Sequence, residues 1–228
     1  MLKIPFPHDE ATWEGEALRR WDGIGASRLL DHDPASGDLL LELAEPGRPL
    51  SALGLEPALD VVVDTIRALA VPADAPFRRV EDDGARWIES LTARWEAAAR
   101  PYPRRLLDAA LELLASELPR AKRSPRVLIH QDLHGENTVE SARGWLAIDP
   151  KPVVGPLEFA AAPVVRSFEF GHSRTAVYRR LDRLVDELEL HSTGALAWTV
   201  SQTLAWSTEP STYAHLQHEV VAWLVDRV

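Results

Sequence analysis

The sequence contains no cysteine. Disulfides and thiolate-held metals are excluded, and redox chemistry gives no clue to the compartment. The chain also lacks any apolar run near the roughly 18 residues that a membrane-spanning helix needs. Its first residues, MLKIPFPHDE, lack the long apolar core of a signal peptide. These absences lead to the expectation of a cytoplasmic protein. Internal repeats and low-complexity tracts are missing as well. Positive charge is in the minority: 25 Lys and Arg face 35 Asp and Glu, a net charge of −10. Such a chain is a poor general binder of nucleic acid or anionic membrane. Its acidic surface suits a cationic small molecule, although such surfaces mostly just keep proteins dissolved.

What is present is an ordinary globular composition. The chain has 228 residues, 46% hydrophobic and 26% charged, enough for one large domain or two small ones. Residues 1–5 read as the end of a strand. Asp9 to Trp21 reads as a helix, with Asp9 as N-cap and Gly23 and Gly25 as stops. SRLLDHD and DLLLELAE are strand-like runs separated by the turn signal PASG. EPGRPLSALG reads as a loop or linker. Leu59, Val62, Val63, Ile66 and Leu69 recur at helical spacing. A second such helix spans Glu81 to Ala99. A third carries Leu107, Leu111, Leu114 and Leu118 and is stopped by Pro119. RVLIH then reads as a buried strand, and TVES-ARG-WLAID as a hairpin with Gly144 in its turn. Beyond Pro150 the pattern is loop-like. It becomes helical again after Ser173, a candidate cap for a helix with Val177, Leu181, Leu184 and Leu188. ALAWTVSQTLAW and TYAHLQHEVVAWLV are two further helices.

The stretch LIHQDLHGEN carries the chemistry. His130-x-Asp132 is followed by Asn137, and Asp149 closes the next strand. Written as H-x-D-x-x-x-x-N and then D, this spacing matches the catalytic loop of kinases. Phosphoryl transfer needs positioning and charge neutralisation more than covalent work. A carboxylate at Asp132 can take the proton of an acceptor hydroxyl. Mg²⁺ prefers oxygen ligands and takes few from the protein, which suits Asn137 and Asp149. Two other readings stand beside this one. His130, Asp132 and His134 could form a zinc site, though no fourth ligand is evident. The stretch could also be a polar turn without chemistry. The placement of Asp149 weighs against that, because it ends an apolar strand just after a hairpin that begins at Asn137. His130 itself reads as a structural residue of the loop.

HQDLHGEN and WLAIDPKPVVG together resemble the aminoglycoside phosphotransferase family, in its streptomycin 6-kinase and hydroxyurea phosphotransferase branch. LKIPFPHDEATWEGEALRRWDGIGASRLL, LLLELAEPGRPL and RRLDRLVDELEL extend the resemblance over nearly the whole chain. His134 is similar to the histidine of that superfamily's HGDxH pattern. The resemblance implies that Asp132 is the catalytic base and that Asn137 and Asp149 hold Mg²⁺. It implies that Lys3 holds nucleotide phosphates, that Glu14 is its ion-pair partner, and that Glu42-Leu43-Ala44 is the adenine-binding hinge. Without the resemblance, Lys3 is an ordinary terminal lysine and Glu14 an exposed helix charge.

The fold so implied is α+β, protein-kinase-like and two-lobed, with a truncated N-lobe sheet at residues 1–47 and a mainly helical C-lobe at 48–228. The cofactors are ATP and Mg²⁺, and the substrate is an aminoglycoside-like small molecule carrying a hydroxyl. Two departures qualify this picture. Relatives carry two strands and a phosphate-covering loop ahead of the lysine, whereas this chain starts at the lysine. An N-lobe of about three strands with an exposed edge follows. A homodimer covering that edge stays open, as does a kinase-like remnant that binds a ligand or partner without turnover. The second departure lies after Asp149. Many relatives have an Asp after the glycine, where GPLEFAAAP offers Glu158. Glu158 either meets the substrate or braces the loop. Glu169 and the helix around Trp198 and Trp206 are further candidates for specificity, although the tryptophans read first as core.

Overall fold

Leu39 and Leu41 are buried while Leu40 between them is exposed, the alternation of a half-buried strand. They form β3 (Leu39–Leu41), the middle strand of a three-stranded sheet in the order β1-β3-β2. β1 is Leu2–Lys3 and β2 is Leu29–His32, both antiparallel to β3. The computed structural model describes residues 1–4, 10, 12–208 and 211–227. The PASG turn is built on Asp33, whose carboxylate accepts from Ala35 N and Ser36 Oγ, with Gly37 at φ 81°. Between β1 and β2 runs α1 (Glu14–Trp21), stopped by Asp22 in the left-handed region. The cap expected at Asp9 lies outside the described residues.

Contacts divide the chain into two compact units. The first comprises residues 1–78 and 126–154. This partition follows contact density and runs along a different line from the lobe boundary drawn at residues 47 and 48. Besides the first sheet, the unit contains α2 (Leu55–Leu69), with Leu59, Val62, Val63, Ile66 and Leu69 all buried. EPGRPLSALG is not a plain linker. Its Pro46–Pro49 segment is β4, an edge strand paired with β7 (Thr138–Ser141), and Leu50–Ala52 forms a 3-10 turn. Proline is tolerated there because an edge strand has one side without ladder partners, so composition alone hides the strand. β5 is Arg78–Arg79. β6 (Val127–Ile129) is the buried strand expected at RVLIH. β7 and β8 (Gly144–Ala147) form the expected hairpin, turning at Ala142 and Arg143, with Gly144 opposite Ser141 at φ 101°. The segment after Pro150 is less loop-like than its sequence: β9 (Val153–Gly155) borders β6.

Gly25 shows why the first unit closes as it does. Its φ is +71°, and a Cβ there would lie 2.9 Å from Ala68 Cβ on α2. Only glycine permits both the turn and the approach. The Gly25 carbonyl accepts from Ala147 N, and Ser27 N donates to Ala147 O. The N-terminal segment is thereby tied to the strand that leads to Asp149.

The second unit, residues 79–125 and 155–228, is helical. It contains α3 (Val80–Ala97), α4 (Arg104–Ala121), α5 (Ala161–Arg166), α6 (Arg174–Glu187), α7 (Ser192–Ser207) and α8 (Ala214–Val225). A 3-10 turn at Leu157–Ala160 precedes α5, another element that the loop-like pattern concealed. Pro119 does not stop α4; it sits in the last turn, and the helix runs on to Ala121. Ser173 does cap α6, accepting from Ala176 N at 3.2 Å. α7 is buried along most of its length, and its hydroxyls satisfy themselves on the preceding turn: Thr199 donates to Ala195 O and Thr203 to Thr199 O. Trp198 is fully buried against Trp87 and Phe159 and is a core residue. Among the described residues no helix is long and apolar enough to cross a membrane.

Candidate active site

The motif residues of the first unit, with Lys3 and Glu14, converge at the ends of β6 and β8. After β6 the chain passes through Gln131, a buried non-glycine residue at φ 67°, and after β8 through Asp149 at φ 57°. Left-handed backbone at such residues costs about 1–2 kcal/mol each. Two such residues re-aim the chain where the motif residues meet, a placement typical of functional sites. The Gln131 amide is held by Arg78, whose Nη2 donates to Oε1 at 3.2 Å.

Asp132 is buried, with its side chain 12% exposed. Lys151 Nζ donates to its Oδ2 at 2.8 Å, and His134 Nε2 lies 3.9 Å from the same oxygen. Asn137 closes the loop: its Nδ2 donates to Asp132 O at 2.9 Å and lies 3.1 Å from His134 Nε2. The carbonyl oxygen of that amide is what Asn137 can offer a cation. Asn137 O accepts from Ile148 N, and Thr138 pairs with Ala147 in the hairpin. Register therefore sets Asn137 beside Ile148 and next to Asp149. Both offer hard oxygen donors, the type Mg²⁺ takes, so the donor set fits that ion.

The two histidines of the motif hold the loop. His134 caps the 3-10 turn Gly135–Asn137, its Nδ1 accepting from Glu136 N at 3.3 Å. His130 is buried, donates from Nε2 to Ile148 O at 2.9 Å and stacks on Trp21 with ring centroids 6.3 Å apart. Burial lowers its pKa to about 4, against the opposing pull of Asp132 and the Ile148 carbonyl. It is neutral at pH 7 and carries no proton for the chemistry. Its Nε2 is committed to Ile148, and among the described residues no group of three or more His, Cys, Asp or Glu could hold a metal. The zinc reading loses its basis.

Lys3, from the first strand, reaches both Glu14 and Asp149. Its ammonium bonds Glu14 Oε1 at 2.6 Å and Oε2 at 2.7 Å, and also Asp149 Oδ1. Burial works to lower the Lys3 pKa, but hydrogen bonds and charge attraction from Asp149 and Glu14 outweigh it and hold it above the usual value. Glu14 is buried on α1 rather than exposed, and that burial pushes its carboxyl up against the pull of Lys3. Glu42 is engaged elsewhere in the unit. It accepts from Arg28 N at 2.8 Å and from Arg143 Nε at 3.2 Å. Burial would raise its pKa, yet the Arg143 and Arg28 bonds bring it below the carboxylate norm. Leu43 is exposed and Ala44 half-buried in the irregular segment after β3.

The remaining candidates belong to the second unit. Glu158 is buried, pairs with Arg120 at 3.1 Å and accepts from His191 N at 3.2 Å. Glu169 is half-buried and accepts from Ser167 Oγ at 3.2 Å. Two residues escaped the sequence reading. Arg143 has no signal beyond its place in a hairpin turn. Lys151 could have been noticed from its place between Pro150 and Pro152, two positions after Asp149.

Residues 1–214 match the family described as aminoglycoside/hydroxyurea antibiotic resistance kinase. The chain belongs to this family. It is a phosphotransferase of the antibiotic-resistance type. It is 34% identical over 211 residues to streptomycin 6-kinase of Streptomyces griseus, covering 89% of this chain and 68% of that protein. It is 35% identical over 228 residues to hydroxyurea phosphotransferase of Kitasatospora aureofaciens, covering 96% of this chain and 65% of that protein. Among solved structures, choline kinase LicA from Streptococcus pneumoniae matches with TM-score 0.68 and 14% identity, over 100% of this chain and 86% of that one. A thermostable mutant of aminoglycoside phosphotransferase APH(4)-Ia, in ternary complex with AMP-PNP and hygromycin B, matches with TM-score 0.69 and 12% identity, over 99% of this chain and 84% of that one. At these identities the likeness shows the fold, which is the protein-kinase-like α+β architecture expected from the sequence.

Proposed function

We propose that the chain transfers the γ-phosphoryl group of ATP to a hydroxyl of an aminoglycoside-like molecule in the cytoplasm. The observation that carries this reading is the convergence of Asp132, Asn137, Asp149 and Lys3 within one unit. Asp132 receives the proton of the acceptor hydroxyl as that oxygen bonds to the γ-phosphorus. The bond from the γ-phosphorus to the bridging oxygen breaks, and ADP leaves. Asn137 and Asp149 would hold Mg²⁺, which when bound supplies neutralisation of phosphate charge. Lys3, oriented by Glu14, holds phosphate oxygens, and the segment Glu42 to Ala44 meets the adenine. In this reading residues 1–47 serve the nucleotide and residues 48–228 the catalytic loop and acceptor. The commitment of Glu158 to Arg120 and His191 supports a bracing role, and Glu169 stays a substrate candidate beside it. A cationic acceptor suits the net charge of −10.

The test is turnover of Mg·ATP with streptomycin, hygromycin B and hydroxyurea, comparing the chain with Asp132→Ala. Loss of the general base is expected to lower kcat by about 10²–10⁴-fold with the fold intact. Wild-type chain that neither turns over nor binds nucleotide in a Mg²⁺-dependent way would favour the non-catalytic remnant.

A further inference from the structure

Lys151 has no part in the reading above, yet its position is closely fixed. Its Nζ lies 2.8 Å from Asp132 Oδ2, and the two side chains are only 26% and 12% exposed. Its backbone N donates to His130 O at 3.0 Å, two positions before Asp132. Pro150 precedes it and Pro152 follows it. Each proline fixes its own φ and restricts the residue before it, so Lys151 and its neighbours have few backbone states. Immobilising a lysine side chain costs it rotamer freedom. A salt bridge that merely neutralised a carboxylate would not need such a mount.

The geometry points to Lys151 as a positioning residue that holds the carboxylate of Asp132 in place to receive the acceptor's proton. Lys151 and His134 both approach Oδ2, so this edge of the carboxylate is held from two side chains. The ammonium fixes the carboxylate plane before transfer. A cation so close also weakens the carboxylate as a base. That loss is small in phosphoryl transfer, where orientation of the hydroxyl matters more than basicity. In the step itself the acceptor proton passes to the Asp132 carboxylate, and its oxygen forms the bond to the γ-phosphorus as ADP leaves. Lys151 keeps all its protons throughout. The inference rests on the phosphotransferase reading and adds to it a residue contributed by the loop after β8.

The experiment uses the full chain with Mg·ATP and whichever of streptomycin, hygromycin B and hydroxyurea it phosphorylates fastest. Lys151→Met is expected to lower kcat about 10–100-fold, the scale of a misplaced catalytic group, with both KM values within about twofold. Lys151→Arg, which restores a cation, is expected to recover much of that loss. In an Asp132→Ala background, Lys151→Met should have no further effect, because the group it positions is gone. If Lys151→Met does not fold, Lys151→Gln enters the same comparisons. A kcat unchanged in the charge-removing variant overturns the inference. So does an equal further loss in the Asp132→Ala background, or a loss that appears mainly in KM for ATP. Failure of the phosphotransferase reading is distinguishable, because the wild-type chain would then show no turnover, and the inference would fall with it.

Discussion

Lys3 and Asp149 are bonded through ammonium and carboxylate although 146 positions separate them. The same ammonium is held by both oxygens of Glu14. The first strand, the first helix and the end of the β7–β8 hairpin thus share one cation.

Removing that cation should be costly mainly through Glu14, whose side chain is 3% exposed, and little through Asp149, at 53%. Breaking a buried pair from one side leaves an uncompensated charge, so Lys3→Met is expected to cost about 3 kcal/mol in urea unfolding. Adding Glu14→Gln removes the stranded charge and should restore more than half of that loss. Additive losses in the double variant would show that the two residues are not coupled.

His130 makes stability depend on pH. Its pKa falls from 6.5 to about 4 on folding because it is buried. The unfolded chain therefore binds more protons between those values, and stability falls as pH falls through that window. The cost is absent above the upper value and complete below the lower one, at about 3 kcal/mol. His130→Asn, which cannot titrate, should flatten the slope of unfolding free energy against pH in that range. An unchanged slope would assign the dependence to other groups.

Arg180 is the corresponding buried charge of the second unit. It is fully buried, and burial lowers its pKa to about 10. Its guanidinium donates to Val165 O, Phe170 O and Gly171 O, fixing the segment between α5 and α6. Arg180→Met strands those carbonyls and should cost about 3 kcal/mol or more. Arg180→Lys keeps the charge but lacks the planar fork, so it should recover only part of this. Thermal unfolding of the three proteins checks the order.

Much of the fold is legible because local physics decides it. Helical spacing marked α2, α4 and α6, and alternation with turn residues marked β2, β3 and the β7–β8 hairpin. β4 and β9 were not legible, since an edge strand bounded by prolines and a three-residue strand carry too little pattern of their own. They exist because a partner strand is there to pair with. Pro119 misled in the opposite direction, as a proline in a last turn removes little.

The site divides in the same way. The sequence by itself determined the grouping of Asp132, Asn137 and Asp149, because they lie within one strand-and-hairpin stretch whose register alone brings them together. Tertiary structure alone decided that Glu14 is buried, that Glu42 is committed to Arg143, that His130 is neutral against Trp21, and that Lys151 sits on Asp132. Each of these depends on desolvation or on a charge brought from elsewhere in the fold. Burial and Coulomb attraction depend on distance in space, which the linear order of residues does not contain.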